Sequence, residues 1–131
     1  MFIVLFFAVL TQAAAAERTF NILFIQSYTS QTPWHSDLNQ GLAKGFKESG
    51  LKVNITTEYL DADFWTFNSE KVIMRRFCQR ARDRQTDLIV TASDEAFYTL
   101  FACGDSLPLQ IPVEFFGIKY PDTKSITTHP N

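Results

Sequence analysis

Apolar and polar positions along the chain form two alternating kinds of segment. Four segments are apolar runs or apolar–polar alternations typical of β-strands, and they cover residues 19–28, 51–60, 86–93 and 111–118. Three segments between them repeat apolar residues at helical spacing, over residues 32–50, 68–84 and 94–103. Strict alternation of strand and helix predicts parallel strands that are joined by right-handed crossovers.

This order predicts an α/β fold: an open, doubly wound parallel sheet of about four strands, with helices on both faces. We expect the strand order 2-1-3-4. The second strand should lie at or near an edge, because its apolar and polar residues alternate. In such sheets, ligands bind outside the carboxyl ends of the strands, beside the point where the strand order reverses. That point lies between the first and third strands.

Local signals mark the ends of the helices. Thr32 and Pro33 suit the N-cap and first position of helix one, and Gly50 is a stop signal. Helix two is expected to start from a cap on Asn68 or Ser69. Its predicted apolar stripe is Val72, Ile73, Phe77 and Ala81. The aromatic residues just before it are expected to pack over the sheet edge; they are Phe64, Trp65 and Phe67.

Residues 1–16 are interpreted as a secretory signal peptide. The apolar run of residues 2–10 is too short to span a bilayer, which needs about 20 residues. Small residues at 13–16 suit signal peptidase, although no Lys or Arg precedes the apolar run. The alternative is an apolar helix that remains attached as an anchor. We therefore expect a periplasmic or otherwise extracytoplasmic protein whose domain comprises residues 17–131.

The two cysteines, Cys78 and Cys103, allow two interpretations. An exported chain meets an oxidising compartment, in which they could form a disulfide. We favour the other interpretation, that both are small buried apolar side chains in helices two and three. The only histidines, His35 and His129, are far away in sequence, so there is no metal-ligand spacing and no metal is expected.

Composition and charge favour a packed domain without a nucleic-acid partner. Hydrophobic residues make up 46% of the 131 residues and aromatic residues 15%, which is ample for a core. The formal net charge of −2 gives no electrostatic attraction to nucleic acid. A basic run on helix two is interpreted as a solvated face rather than a phosphate, membrane or partner site. Its members are Lys71, Arg75, Arg76, Arg80, Arg82 and Arg84.

Chemistry-bearing residues concentrate where the predicted strands end. The four strand-end segments read QSYTSQTPWH, YLDADFW, TASDEAF and FFGIKYPD, and all are rich in hydroxyls, carboxylates or aromatic rings. The carboxyl ends of parallel strands lie along one edge, so these side chains should share a rim where a ligand can bind. The candidate ligand contacts are Ser27, Tyr28, Trp34, Asp61, Ser93, Asp94 and Glu95.

Each candidate also has a structural explanation. Ser93 and Asp94 suit the N-cap of helix three, a role that is compatible with binding an anionic group there. Tyr28 and Trp34 could staple the start of helix one, or their rings could stack on a sugar, a nucleobase or an aromatic amino acid, or bind a cation. Asp61 could support a turn instead of binding a hydroxyl or ammonium group.

Catalytic motifs do not accompany these residues. The sequence contains no G-x-S-x-G elbow, no G-x-x-x-x-G-K-[ST] loop and no G-x-G-x-x-G after the first strand. We therefore expect that the domain itself is not an enzyme. The alternative is an exported flavodoxin-like enzyme that uses the acids near Asp94 as a general base.

The strand-end motifs resemble those of the ABC-transporter substrate-binding-like family and the related extracytoplasmic sensor domains of bacterial sensor histidine kinases. In that group the first strand commonly ends in S-Y with a Trp a few residues later, and the second ends near x-x-D. The third ends in S-D-[DE]-A and the fourth in F-x-G-[VI]. The matching residues here are Ser27, Tyr28, Trp34, Asp61, Ser93, Asp94, Glu95, Ala96, Phe115, Gly117 and Ile118. The resemblance covers roughly residues 21–122 and adds Gly117 to the candidate ligand contacts.

The resemblance implies one lobe of a two-lobed clamshell similar to type I periplasmic binding proteins, in which a ligand closes the cleft between lobes. Such proteins need about twice this length, so residues 17–131 are expected to be a truncated N-terminal lobe. The implied ligand is a small molecule such as a sugar or an amino acid, without a cofactor. The implied partner is a membrane-bound kinase or permease, and an exposed cleft face could also favour a homodimer.

Overall fold

The computed structural model describes residues 18–83, 85–104, 111–121 and 123–124. The described strands are β1 (Phe20–Gln26), β2 (Val53–Tyr59), β3 (Leu88–Ala92) and β4 (Val113–Phe116). The described helices are α1 (Pro33–Ser49), α2 (Phe67–Asp83) and α3 (Asp94–Phe101), with one 3-10 turn at Ala62–Phe64. These elements alternate along the chain as predicted. The predicted signal peptide, residues 1–16, lies outside the described residues.

The four strands form one sheet in the order β2-β1-β3-β4, and all three pairings are parallel. The predicted α/β class, parallel sheet and strand order are therefore confirmed. β2 lies at an edge, as its alternating pattern indicated. Because β1 and β3 are neighbours, their carboxyl ends meet at the centre of the sheet, at Gln26 and Ala92.

Two apolar clusters cover the two faces of the sheet. Successive strand residues point to opposite faces, so Ile22 and Phe24 join one cluster while Leu23 and Ile25 join the other. On the first face, α1 contributes Leu38, Leu42 and Phe46, which repeat every four residues. On the second face, α2 and α3 contribute Ile73, Phe77, Ala96 and Leu100. Helices on both faces are therefore confirmed.

α1 begins and ends where the local signals predict. Thr32 occupies the N-cap position, Pro33 opens the helix, and the Thr32 carbonyl accepts the N–H of Ser36 at 3.0 Å. Gly50 ends the helix with a φ of 73°, a left-handed conformation that costs glycine little.

α2 begins earlier than predicted. The helix starts at Phe67, so Thr66 holds the N-cap position instead of Asn68 or Ser69. The hydroxyl of Thr66 accepts the Ser69 N–H at 3.3 Å, and the hydroxyl of Ser69 accepts the Thr66 N–H at 2.7 Å. This reciprocal pair is a capping box in which serine replaces the usual Glu or Gln.

Two residues that were predicted to be buried are exposed. Val72 is 49% exposed because Ile73 and Phe77 face the sheet, and Val72 is turned by about 100° from its neighbour Ile73 around the helix axis. Phe64 lies in the 3-10 turn and is 77% exposed, whereas the next residue, Trp65, packs against the core as predicted. The side chains of Phe67 and Ala81, which were also predicted to be buried, lie outside the described part of the chain.

Cys78 and Cys103 form a disulfide. The favoured interpretation of two free, buried thiols was therefore wrong. The bridge connects α2 to a residue just beyond the end of α3, across 25 positions of sequence. Spacing alone could not reveal it, because the contact depends on how the two helices lie on the same face of the sheet.

None of the helices in the described part of the chain has both the length and the apolar character of a membrane span.

Candidate functional site at the carboxyl ends of the strands

The structure brings most of the predicted site residues together at one edge of the sheet, which we call the rim. The Tyr28 hydroxyl donates a hydrogen bond to Glu95 Oε1 at 3.0 Å. The indole of Trp34 lies over Gly117, so near that a Cβ added to the glycine would lie 2.6 Å from the ring. Asp94 Oδ1 accepts two backbone N–H groups just after Gly117, at 3.0 and 3.2 Å. These contacts link the segments that follow β1, β3 and β4.

Ser27 lies beneath the rim and has a structural role. Its side chain is fully buried. Its hydroxyl donates to the Ala92 carbonyl at 3.1 Å and accepts the Ala96 N–H at 2.9 Å. Ser27 therefore caps α3 from another strand, although we predicted it as a ligand contact. With no exposed surface and both hydrogen bonds made, its hydroxyl positions the rim.

Ser93 holds the N-cap position of α3 but does not cap the helix with its side chain. Its backbone has a φ of 74° and a ψ of 167°, a region that is populated almost only by glycine. Its N–H donates to the Phe116 carbonyl at 3.0 Å. Within the described residues its half-buried hydroxyl has no hydrogen-bond partner. The expected side-chain cap was wrong for Ser93, and the hydroxyl remains open to a ligand.

Asp61 stands beside the rim, after β2. Its backbone is left-handed with a φ of 51°, and its side chain makes no capping bond to the 3-10 turn. The chain is fixed on both sides of it, because the Leu60 N–H donates to the Gln26 carbonyl and the Ala62 N–H donates to the Ser27 carbonyl. The exposed carboxylate is therefore held close to the end of β1 without being used for turn chemistry.

Negative charge surrounds the Tyr28 hydroxyl. Partial burial is the largest cause that raises the pKa of Tyr28 to about 12, and the hydrogen bond to Glu95 adds to it. The charges of Glu95, Asp63 and Asp94 raise the pKa further. The hydroxyl therefore stays protonated at neutral pH and fixes the orientation of the Glu95 carboxylate.

His35 is a buried polar residue for which the sequence interpretation gave no role. Its ring is 1% exposed and lies edge-on to the rings of Tyr28 and Trp34, at centroid distances of 5.5 and 4.8 Å. Neither ring nitrogen has a hydrogen-bond partner among the described residues. Burial lowers the pKa of His35, while the charge of Glu95 opposes that shift. His35 shares a helical face with Leu38 and Leu42, and this spacing was the signal in the sequence.

A short polar chain continues along the rim from β1 to β2. The buried Gln26 donates through Nε2 to Asn39 Oδ1 at 2.6 Å, and Asn39 donates through Nδ2 to the Tyr59 hydroxyl at 3.3 Å. Gln26 Oε1 has no partner among the described residues. Together with His35, it leaves unsatisfied polar atoms buried under the start of α1.

Two hollows flank the rim, one on each face of the sheet. The first has a volume of about 390 Å3 and lies between α1 and β4, with Trp34, Leu38 and Phe116 in its wall. The second has a volume of about 380 Å3 and lies against α3, with Trp65, Asp94 and Tyr98 among its lining residues. Each hollow has room for a small organic molecule.

Gly117 supports a prediction that separates backbone strain from contact with Trp34. Its φ is 63°, so Gly117→Ala is expected to lower the free energy of unfolding by about 1 kcal/mol. The new methyl group should also displace the Trp34 ring and shift its fluorescence emission. Gly50→Ala is the control, because Gly50 has a φ of 73° and open space around it. Urea unfolding should show similar losses of stability in the two variants, and only Gly117→Ala should shift the emission. An emission shift in both variants, or in neither, would contradict the contact between Gly117 and Trp34.

The described residues contain no group of three or more His, Cys, Asp or Glu side chains that could hold a metal ion. Comparisons with protein-family models, with curated proteins and with solved structures return no match to this chain. The chemistry of the rim itself therefore carries the functional argument: ring faces, a free hydroxyl and carboxylates at the carboxyl ends of parallel strands.

Proposed function

We propose that this protein is a small-molecule-binding lobe of the periplasmic-binding-protein type, which recognises its ligand at the rim. One observation carries the proposal. Tyr28, Glu95, Trp34 and Gly117 come from three strand ends, and direct contacts join them in pairs where parallel sheets bind ligands. Such convergence of ring faces and polar groups is characteristic of ligand sites.

Each rim residue has a role that follows from its surroundings. The half-exposed ring of Trp34 offers a face on which a ligand can stack. The open hydroxyl of Ser93 and the exposed carboxylate of Asp61 offer hydrogen bonds. Asp94 fixes the segment after β4, and Tyr28 orients Glu95. The rim thus combines groups that bind with groups that position.

The disulfide between Cys78 and Cys103 supports export, because disulfides persist mainly in oxidising compartments. We propose a periplasmic or extracytoplasmic location on this ground and on the leader-like residues 1–16. Within the resemblance to transporter-linked and sensor-linked binding domains, the proposed partner is a membrane-bound permease or sensor kinase.

The contacts of Asp94 and Glu95 favour a binding role over the alternative of a flavodoxin-like enzyme. Asp94 Oδ1 accepts two backbone N–H groups, and Glu95 accepts the Tyr28 hydroxyl. Each carboxylate therefore uses one oxygen to hold the rim and keeps its second oxygen to accept a hydrogen bond from a bound molecule, while the sequence contains none of the nucleophile or phosphate-binding motifs that would accompany a catalytic base.

Ligand-dependent thermal stabilisation tests the proposal. The full chain is screened against sugars, amino acids and nucleosides by thermal unfolding. A ligand at 100 times its Kd stabilises the native state by about 2.7 kcal/mol, which is a shift of several degrees in Tm for a domain of this size. We expect at least one class to give such a shift, accompanied by a change in tryptophan fluorescence.

Three variants localise the effect. Trp34→Ala should abolish most of the stabilisation by a compound that lies in the hollow beside α1, and Tyr98→Leu should reduce the stabilisation by a compound that lies in the hollow beside α3. Lys44→Ala should leave the stabilisation unchanged, because Lys44 lies on the exposed side of α1, where it pairs with Glu48. The proposal fails if no compound class shifts Tm, or if Trp34→Ala and Tyr98→Leu both respond to the active compound as Lys44→Ala does.

A further inference from the structure

The hollow beside α3 differs from the rest of the rim in its chemistry, and we call it the α3 groove. Its volume is about 380 Å3, and its lining includes Trp65, Met74, Asp94, Glu95 and Tyr98. The wall includes two aromatic rings and a thioether, and its two carboxylates lie in the first turn of α3. An apolar wall with a few convergent polar groups is the usual composition of a small-molecule site.

The polar ends of both aromatic side chains are already occupied. Trp65 Nε1 donates to the Leu60 carbonyl at 2.6 Å, and the Tyr98 hydroxyl donates to the Tyr120 carbonyl. These bonds fix the two side chains in place. What the rings offer to a molecule in the groove is therefore their π surface, which attracts cations and apolar groups.

The carboxylates are fixed but not neutralised. Glu95 is oriented by the Tyr28 hydroxyl, and Asp94 is held by backbone N–H groups. Neither forms a salt bridge with any described residue, and the described lining contains no lysine or arginine. The ammonium group of Lys119, on the segment held by Asp94, lies over the ring of Tyr120 instead. Within the part of the chain that the structure describes, the groove therefore has two carboxylates beside ring faces and no cation paired with them.

We infer that the α3 groove binds an organic cation, a primary or quaternary ammonium group carried on an aromatic or alkyl body. The ammonium group would lie against Glu95 and Asp94, and the body against Trp65, Tyr98 and Met74. This inference rests on the proposed function, because Asp94 and Glu95 belong to both the rim and the groove. It names the ligand class and the side of the rim on which the ligand lies.

The same features favour an organic cation over other ligand classes in this groove. An anionic ligand would meet two like charges without a cationic partner. A neutral polyol would stack on the rings and donate hydroxyls to the carboxylates, but it would bring no positive charge to balance them. A cation with an apolar body satisfies both the carboxylates and the rings, and cation–π attraction strengthens when the charge is desolvated.

Matched pairs of probes test the inference by calorimetric titration of the full chain. The pairs are 2-phenylethylammonium against 2-phenylethanol, and choline against its uncharged analogue 3,3-dimethylbutan-1-ol. We expect each cation to bind at least tenfold more tightly than its neutral partner, and the preference to weaken as salt concentration rises.

Variants assign the binding to the groove. Glu95→Gln keeps an acceptor for Tyr28 and the size of the side chain. It should weaken the binding of the cations at least tenfold and leave the binding of the neutral analogues unchanged. Glu48→Gln, on the exposed side of α1, is the matched control and should have no effect. Tyr98→Leu should weaken the binding of both cations several-fold, whereas Tyr98→Phe, which keeps the ring, should bind them as the native chain does.

The failures of the two proposals are distinguishable. If charged and neutral probes bind equally, or if Glu95→Gln binds the cations as the native chain does, the organic-cation inference is overturned. It is also overturned if only a sugar, an amino acid or a nucleoside binds at the rim, an outcome in which the proposed function stands. Absence of binding by every probe and every compound class overturns both.

Discussion

Replacing Cys78 and Cys103 together by alanine is expected to lower the free energy of unfolding by about 3 kcal/mol. The disulfide closes a loop across 25 positions of sequence, and a covalent closure of that size removes about this much conformational freedom from the unfolded chain. For a domain of this size the loss corresponds to a fall in Tm of at least about 10 °C. Urea unfolding of the native chain and the double variant measures it directly.

Reduction of the native chain provides the control for the side-chain change. A reductant should lower the stability of the native chain to nearly that of the double variant and should leave the double variant unchanged. Because Cys103 is buried and Cys78 packs against the same cluster, part of the loss in the variant comes from packing rather than from the covalent bond. A native chain that unfolds at the same urea concentration with and without reductant would contradict a stabilising bridge.

The sequence predicted the features of the fold that depend on local patterns. The class, the strand order and the limits of α1 follow from the strand–helix alternation and from signals such as Pro33 and Gly50. The start of α2 was misplaced because Thr66, Asn68 and Ser69 all suit an N-cap, and only the reciprocal bonds between Thr66 and Ser69 identify which one is used. Val72 was assigned to the core because a stripe of adjacent apolar residues does not fix the rotation of the helix.

Features of the site that depend on distant residues were harder to predict. The composition of the strand ends was sufficient to expect that Tyr28, Trp34, Asp94 and Glu95 share one rim. It could not show which polar groups are used internally, because those bonds join residues more than 20 positions apart in sequence. Ser27 is the clearest case, since a serine after a buried strand suits either a ligand contact or a cap for another element.

Ser27 explains how the sheet holds the rim in register. Its hydroxyl joins the end of β1 to the end of β3 and to the first turn of α3. Glu95 lies in that first turn, and Tyr28 follows Ser27 directly, so the bond between Tyr28 and Glu95 depends on this connection. Consequently a buried hydroxyl sets the distance between two groups of the site.

Ser27→Ala is therefore expected to lower the free energy of unfolding by about 2 kcal/mol. The substitution removes a buried hydrogen bond to the Ala92 carbonyl and leaves the Ala96 N–H without its acceptor at the start of α3. A lost helix cap costs about 1 kcal/mol, and an unsatisfied buried donor raises the cost further. Urea unfolding gives the stability, and amide hydrogen exchange should show that the Ala96 N–H loses protection.

Ser93→Ala is the matched control, since it removes the same hydroxyl from a serine at the same end of the sheet. The Ser93 side chain makes no capping bond to α3, so its loss should change the stability by less than about 0.5 kcal/mol. Protection of the Ala96 N–H should also be unaffected. If the two variants lose stability equally, or if Ser27→Ala leaves the exchange of Ala96 unchanged, α3 does not depend on a cap from β1. The geometry of Tyr28 and Glu95 would then need another support.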